Sequence, residues 1–364
     1  MTERRVGRYG IENARRPKLR LVLFAAVSVV MLASAFAYFG PMRSGDGAGS
    51  DSAASVNATE STDGTTAPAS TDPVIPPRAV SVDTPAAVGV TTLELVDATR
   101  PTDPRGDSNG SDTRSLRVIV RYPTEGPASG SESVDAAPSQ PSPLIVFAHG
   151  YNASTETYAA LLHDLAASGF TVAAVEFPLT SSVYPGYPVE MDLVNEPADI
   201  SFVIDSLTAA NPPRALAGAI AETKVGVIGH SDGAMAVLLT AYAPRFVDPR
   251  IGMVVSMAGG YDTYGGTWFS ESSSPLLVIH GTLDEVTPFS SSEELVAADP
   301  HAVMFVAVEG ASHLGSAVAP EFEPSVARLV SETFAWRLLG SVGSAAGVLV
   351  DGNTPPLTML ALRG

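Results

Sequence analysis

The stretch Lys224–Leu239, K-V-G-V-I-G-H-S-D-G-A-M-A-V-L-L, constrains this chain more than any other. A short apolar run ends at Gly229, the residues Gly229-His230-Ser231-Asp232-Gly233 make a turn, and an apolar helical run follows. G-x-S-x-G between a strand and a helix puts a serine at the tip of a sharp turn, with its hydroxyl exposed above a sheet. The two glycines leave room for backbone segments to cross closely. A serine hydroxyl is a weak nucleophile and needs a general base beside it. The alternative is a plain strand–turn–helix, since a chain with 32 glycines forms such patterns by chance. The downstream partners discriminate between the two.

The first partner follows the strand Pro275–Gly281 (P-L-L-V-I-H-G), where the turn Thr282–Pro288 carries Asp284 within reach of a histidine. The second follows the apolar run Met304–Val308, in the small-residue loop Glu309–Gly315 that carries His313. The chain order is Ser231, Asp284, His313. In these roles His313 takes the proton from Ser231, while Asp284 fixes the tautomer of His313 and stabilises its imidazolium. Asp262, in G-G-Y-D-T-Y after the run Met253–Met257, is the alternative carboxylate. Glu285, beside Asp284 in a turn, is expected to point elsewhere. His149, His230 and His280 all flank glycine at strand ends, where local hydrogen bonding that supports loops is the plainer reading. His163 and His301 read as surface residues.

Pro143–Asn152 (P-L-I-V-F-A-H-G-Y-N) is a buried strand running into a His-Gly turn, with a helical segment at Thr157–Ser168. Acyl transfer needs preorganised donors where negative charge develops on the carbonyl oxygen. The candidates are the backbone N–H of Asp232, after the nucleophile, and that of Tyr151, after the earlier strand.

Elements alternate along the chain: strands at 144–148, 171–176, 224–229, 251–257, 276–280 and 303–308, helices at 157–168, 197–209, 233–242, 291–298 and 324–339. Alternating apolar strands and helices predict an α/β fold, a mostly parallel sheet covered on both faces. Thr91–Val96 and Leu116–Arg121 add antiparallel edge strands. The segments Phe177–Asn195 and Tyr261–Ser274 are loops expected to border an acyl pocket.

Six segments recur in order: L-R-V-I-V-R-Y-P (Leu116–Pro123), the His-Gly-Tyr turn at 149–151, E-P-A-D-I-S-F-V-I-D (Glu196–Asp205), G-H-S-D-G, H-G-T-L-D and G-A-S-H. With them the chain, from about residue 90 to 340, resembles the α/β-hydrolase superfamily. Within it the resemblance is to dienelactone hydrolases, platelet-activating-factor acetylhydrolase-like esterases and cutinase-like polyester hydrolases. It implies an α/β-hydrolase fold and a serine hydrolase that cleaves carboxylic esters through an acyl-enzyme, with no cofactor. Where many relatives carry an apolar residue after the serine, this chain has Asp232, whose backbone donor survives the change. The chain has no cysteine, whereas polyester hydrolases often carry disulfides. A polyester or lipid hydrolase, a peptidase with the same triad, and a catalytically silent binding protein are the alternatives.

The amino-terminal region reads separately. Residues 1–20 hold seven Lys/Arg against Glu3 and Glu12, and Leu21–Phe39 runs 19 residues without a charge. That length spans a bilayer, and the basic flank predicts an inside amino terminus with the remainder outside. A signal peptide cleaved at Ala33-Ser34-Ala35 or Ala35-Phe36-Ala37 is the alternative, although its apolar core exceeds the usual length. The expected organisation is a basic and membrane segment at 1–40, a flexible Ser/Thr/Ala/Pro linker at 41–80, a catalytic domain at 81–340, and a tail at 341–364 without a readable role. The linker is too poor in large apolar residues to offset its ordering entropy. The net charge is −18, and residues 21–364 carry −23. So acidic a body excludes nucleic acid and anionic surfaces as partners, leaving a small-molecule or lipid-like ester and the membrane. No cysteine or H-E-x-x-H set suggests a metal, and no glycine-rich phosphate loop implies a nucleotide cofactor.

Overall fold

Strand residues here alternate between two buried faces, which is why their sequences read as unbroken apolar runs. In β4 (Leu144–Ala148), Leu144, Val146 and Ala148 enter one hydrophobic cluster, while Ile145 and Phe147 enter the other. The computed structural model describes residues 79–363 apart from 127, 129, 261–267, 271 and 302. The apolar run 21–39 and Asp262 lie outside the described residues. No helix among the described residues is long and apolar enough to cross a membrane.

The remaining strands are β1 (Ala87–Asp97), β2 (Arg114–Thr124), β3 (Glu132–Val134), β5 (Thr171–Glu176), β6 (Val225–His230), β7 (Ile251–Met257), β8 (Leu276–Gly281), β9 (Val303–Val308) and β10 (Leu357–Leu362). They form one sheet in the order β10-β9-β8-β7-β6-β4-β5-β2-β1-β3. The six strands from β9 to β5 in that order are mutually parallel. β2 joins β5 antiparallel, as β1 joins β2, and β10 closes the far edge antiparallel to β9. The architecture is the mostly parallel sheet with antiparallel edge strands that the sequence implies for an α/β-hydrolase fold. Residues 341–364, whose role the sequence leaves open, supply both β10 and a helix.

Seven helices lie between or beside these strands among the described residues: α1 (Ala159–Ser168), α2 (Glu196–Thr208), α3 (Asp232–Tyr242), α4 (Phe289–Ala298), the single turn α5 (Gly315–Val318), α6 (Glu323–Leu339) and α7 (Val342–Asp351). Apolar residues of α2, α3 and α4 pack in one cluster, and those of α1, α6 and α7 in the other. Both faces of the sheet are therefore covered. From β4 the chain moves one way to β5, then crosses back to pair β6 on the other flank of β4. Such a reversal opens a crevice at the carboxyl ends of the strands. The loops leaving β4 and β6, which carry Tyr151 and Ser231, flank it.

One wall of that crevice is the segment after β5, and two buried arginines shape it. Arg114, at the start of β2, is 1% exposed and binds Asp192 and Asp199, with Nη2 at 2.7 and 2.6 Å. Arg105 has no carboxylate partner among the described residues. Its Nη1 donates to the carbonyls of Pro178 (3.3 Å) and Ser181 (2.7 Å), its Nη2 to those of Tyr184 and Gly186 (3.0 Å each). The fork thus reads the curvature of the Phe177–Asn195 loop through its backbone. Gly106 and Gly186, both at positive φ, let the two segments touch, since a Cβ on Gly186 would lie 2.7 Å from the Gly106 Cα. Arg105→Ala leaves four carbonyls without their donor. It is expected to cost about 3 kcal/mol in urea unfolding and to raise KM for ester substrates more than it lowers kcat. Arg105→Lys, a point charge without the fork, is expected to recover only part of the loss.

Candidate active site

Ser231 sits at φ 56°, ψ −122°, a backbone region that side chains with a Cβ seldom occupy. Such strain costs of order 1–3 kcal/mol and persists only where the surroundings enforce it. Here the enforcement is close crossing: a Cβ on Gly229 would collide with the Gly233 carbonyl, and one on Gly233 with the Ala148 carbonyl. The Ser231 N–H donates to Met257 O (2.9 Å), tying the turn to β7. Ser231 then stands as the cap residue of α3, above the crevice.

Asp284 and His313 meet across the β8–β9 loops. His313 Nδ1 lies 2.8 Å from Asp284 Oδ2. The carboxylate is an acceptor, so Nδ1 carries the proton and Nε2 is the basic nitrogen. Asp284 Oδ1 accepts the N–H groups of Val286 and Thr287, both at 2.8 Å. His280 adds a second imidazole, with Nε2 3.0 Å from Asp284 Oδ2 and 3.1 Å from Thr287 O, and Nδ1 2.6 Å from Ser292 Oγ. Burial raises the Asp284 pKa, but the hydrogen bonds from His280, His313 and the Val286 N–H, with the charge of His313, hold it well below the ordinary carboxylate range. Glu285 does not reach the imidazole; its Oε2 accepts the His313 backbone N–H at 3.1 Å.

The residue before Ser231 contacts His313. His230 donates from Nε2 to the His313 carbonyl (2.9 Å), and the two rings pack with centroids 4.8 Å apart. Asp232, on the other side, feels the His313 charge. Ser231 Oγ and His313 Nε2 are not hydrogen-bonded to each other, a link that in hydrolases tightens on substrate binding. Among the described residues neither the Tyr151 N–H nor the Asp232 N–H has an acceptor, as oxyanion donors require. Gly150 lets the Tyr151 turn approach, because a Cβ there would stand 3.1 Å from the Ser231 Cβ. The turn is further held by His149. Its Nδ1 donates to Gly150 O (2.9 Å), while Nε2 accepts the Phe177 N–H (3.2 Å). The Tyr151 hydroxyl donates to Pro188 O at 3.0 Å. Among the described residues no cluster of three His, Asp or Glu could hold a metal ion.

The structure gives three residues more than loop support. His280 bonds the carboxylate itself, His230 bonds the backbone of His313, and Tyr158 bonds His230. A histidine that flanks glycine at a strand end is the one sequence signal for the first two. Tyr158 carries no signal.

Residues 124–203 match the family described as platelet-activating factor acetylhydrolase, isoform II. That stretch holds the His-Gly-Tyr turn and most of α2, and stops short of the elbow. A ferulic acid esterase from Streptomyces cinnamoneus, at 2.4 Å resolution, is similar in structure: TM-score 0.59, 23% sequence identity, covering 78% of this chain and 100% of that one. No curated protein sequence is significantly similar to the chain. The structural similarity supports the α/β-hydrolase fold, and the family match, confined to residues 124–203, agrees with it.

The Asp232 carboxyl, beside Ser231, is poorly compensated. Its Oδ2 is buried with no hydrogen-bond partner. Burial, then the charge of Glu190, pushes its pKa up to about 6, against a partial opposing pull from His313. In the unfolded chain the group titrates near 3.8. Between those values the unfolded state releases its proton first, so rising pH destabilises the fold, and above about pH 6 the full penalty applies. That penalty is at most roughly 3 kcal/mol. Asp232→Asn is expected to raise the urea midpoint at pH 8 and to leave it nearly unchanged at pH 4. An equal gain at both pH values would show that the carboxylate charge is not its source.

Proposed function

We propose that the protein is a serine esterase that cleaves carboxylic esters through Ser231, His313 and Asp284. The observation that carries this reading is the strained Ser231 turn, beside which His230 bonds the backbone of His313, itself bonded to Asp284. Ser231 Oγ attacks the carbonyl carbon as its proton passes to His313 Nε2. The negative oxygen is received by the N–H groups of Tyr151 and Asp232. The C–O bond breaks, the alcohol leaves with the proton from His313, and the acyl group remains on Ser231. Water then repeats the sequence, returning the acid and free serine. The platelet-activating factor acetylhydrolase match and the ferulic acid esterase neighbour support ester rather than peptide cleavage.

A fluorophosphonate probe is expected to label the wild-type protein and to spare Ser231→Ala. Asp284→Asn is expected to lower kcat on p-nitrophenyl acetate by about 10⁴. Labelling retained by an active Ser231→Ala protein would refute the mechanism. A series of p-nitrophenyl esters of increasing acyl length reads the depth of the acyl pocket.

We further propose that residues 21–39 anchor the protein with the hydrolase outside the cytoplasm, or are cleaved during export. The support is the basic flank, the 19-residue uncharged run and the polar linker behind it. Protease added to intact cells is expected to remove the hydrolase while an amino-terminal fragment stays with the membranes. A mature amino terminus near Phe36 or Tyr38 would identify cleavage instead, and full protease resistance would overturn the topology.

A further inference from the structure

Behind the elbow runs a chain of hydrogen bonds that the acyl-transfer steps do not use. The Gly150 N–H donates to the Tyr158 hydroxyl oxygen at 3.3 Å. The Tyr158 hydroxyl lies 2.9 Å from His230 Nδ1, and His230 Nε2 lies 2.9 Å from the His313 carbonyl. Every link has only one possible direction. A carbonyl accepts, so His230 Nε2 must carry the proton. In a neutral imidazole Nδ1 is then the acceptor, so the Tyr158 O–H donates to it. The Tyr158 oxygen is left to accept from Gly150. Tyr158 and His230 are 1% and 2% exposed, so no water competes for these bonds.

We infer that Tyr158 and His230 form a one-way relay that sets the oxyanion turn at Gly150–Tyr151 against the loop holding His313, making both positioning residues for acyl transfer. The inference rests on the esterase reading above. Its two ends are the two parts of the site that arrive from opposite flanks of β6: the β4 turn and the β9 loop. Between them, the Tyr158 ring lies 5.5 Å from the His230 ring, which in turn packs on His313. An imidazole suits the middle of such a relay because it presents an acceptor and a donor on opposite edges and can be buried uncharged.

Charge points the same way. Burial pushes the His230 pKa down to about 4; the bond to the His313 carbonyl and the charge of Asp284 raise it, those of His313 and His280 lower it. Those three, with the Tyr158 hydroxyl, are the titratable groups facing it. His230 therefore stays neutral while His313 gains and loses its proton, and neither competes for that proton nor repels the imidazolium.

The test uses the full-length protein with p-nitrophenyl acetate, and histidine labelled with ¹⁵N. With six histidines in the chain, His230 can be assigned by its loss in His230→Ala or, should that variant not fold, by its shift in Tyr158→Phe. The wild type is expected to show His230 protonated at Nε2 and bare at Nδ1 from pH 6 to 9. Tyr158→Phe is expected to lower kcat by roughly 10-fold to 100-fold with KM nearly constant. The double variant with His230→Ala is expected to lose no more than His230→Ala alone, because a broken relay cannot be broken twice. A kcat unchanged in Tyr158→Phe, losses that multiply in the double variant, or a His230 protonated at Nδ1 would each overturn the relay. If the wild type has no Ser231-dependent turnover, the esterase reading and with it the positioning role fall, while the tautomer still reports whether the hydrogen-bond chain exists.

Discussion

The crossing of α3 over the end of β4 is the constraint on which the rest of the site depends. Gly233 lies so close to the Ala148 carbonyl, and Gly229 to that of Gly233, that no other residue fits at either place. This compression holds Ser231 at positive φ and lifts its hydroxyl out of the sheet. It also aligns the β4 and β6 ends, where Ala148 pairs with Gly229, so that the Tyr151 turn and the serine face a common volume. A larger residue in the crossing would move Ser231 and the Tyr151 turn apart together.

Against that fixed point, Asp284 acts as the second anchor. Its two oxygens gather two backbone N–H groups and two imidazoles. A carboxylate so thoroughly bonded keeps its charge and cannot rotate, which leaves His313 one orientation. The loop of His313 is held in turn by Glu285 through its amide and by His230 through its carbonyl. Both peptide groups of His313 are thus restrained as well as its ring.

The parallel strands are legible in the sequence because they are buried on both faces, so strand and helix ends fall at clear changes of polarity. The Ser231 turn, Asp284 and His313 are legible as polar residues just beyond the ends of apolar strands, and a hydrogen bond joins the last two. Other features escape for a physical reason: their meaning lies in the partner, not in the pattern. Tyr158 looks like any core aromatic until its hydroxyl is seen between Gly150 and His230. Arg105 looks like a surface charge in a polar loop, yet it is 5% exposed and bonded to four carbonyls that a sequence cannot display. The segment Leu357–Leu362 reads as an apolar patch, and only pairing with β9 makes it a strand.

The close fit around Gly150 has a consequence for how such an enzyme can diversify. Positions beneath the serine are locked by contact, since even a methyl group at 150 would press on Ser231 and His230. The residues around the mouth are not. Tyr151, Val183, Tyr187 and Met191, in or beside the loop after β5 and the Gly150 turn, and Leu283 and Leu314, beside Asp284 and His313, all stand between 36% and 94% exposed. Random drift can therefore rework the entrance freely while the reacting groups stay put.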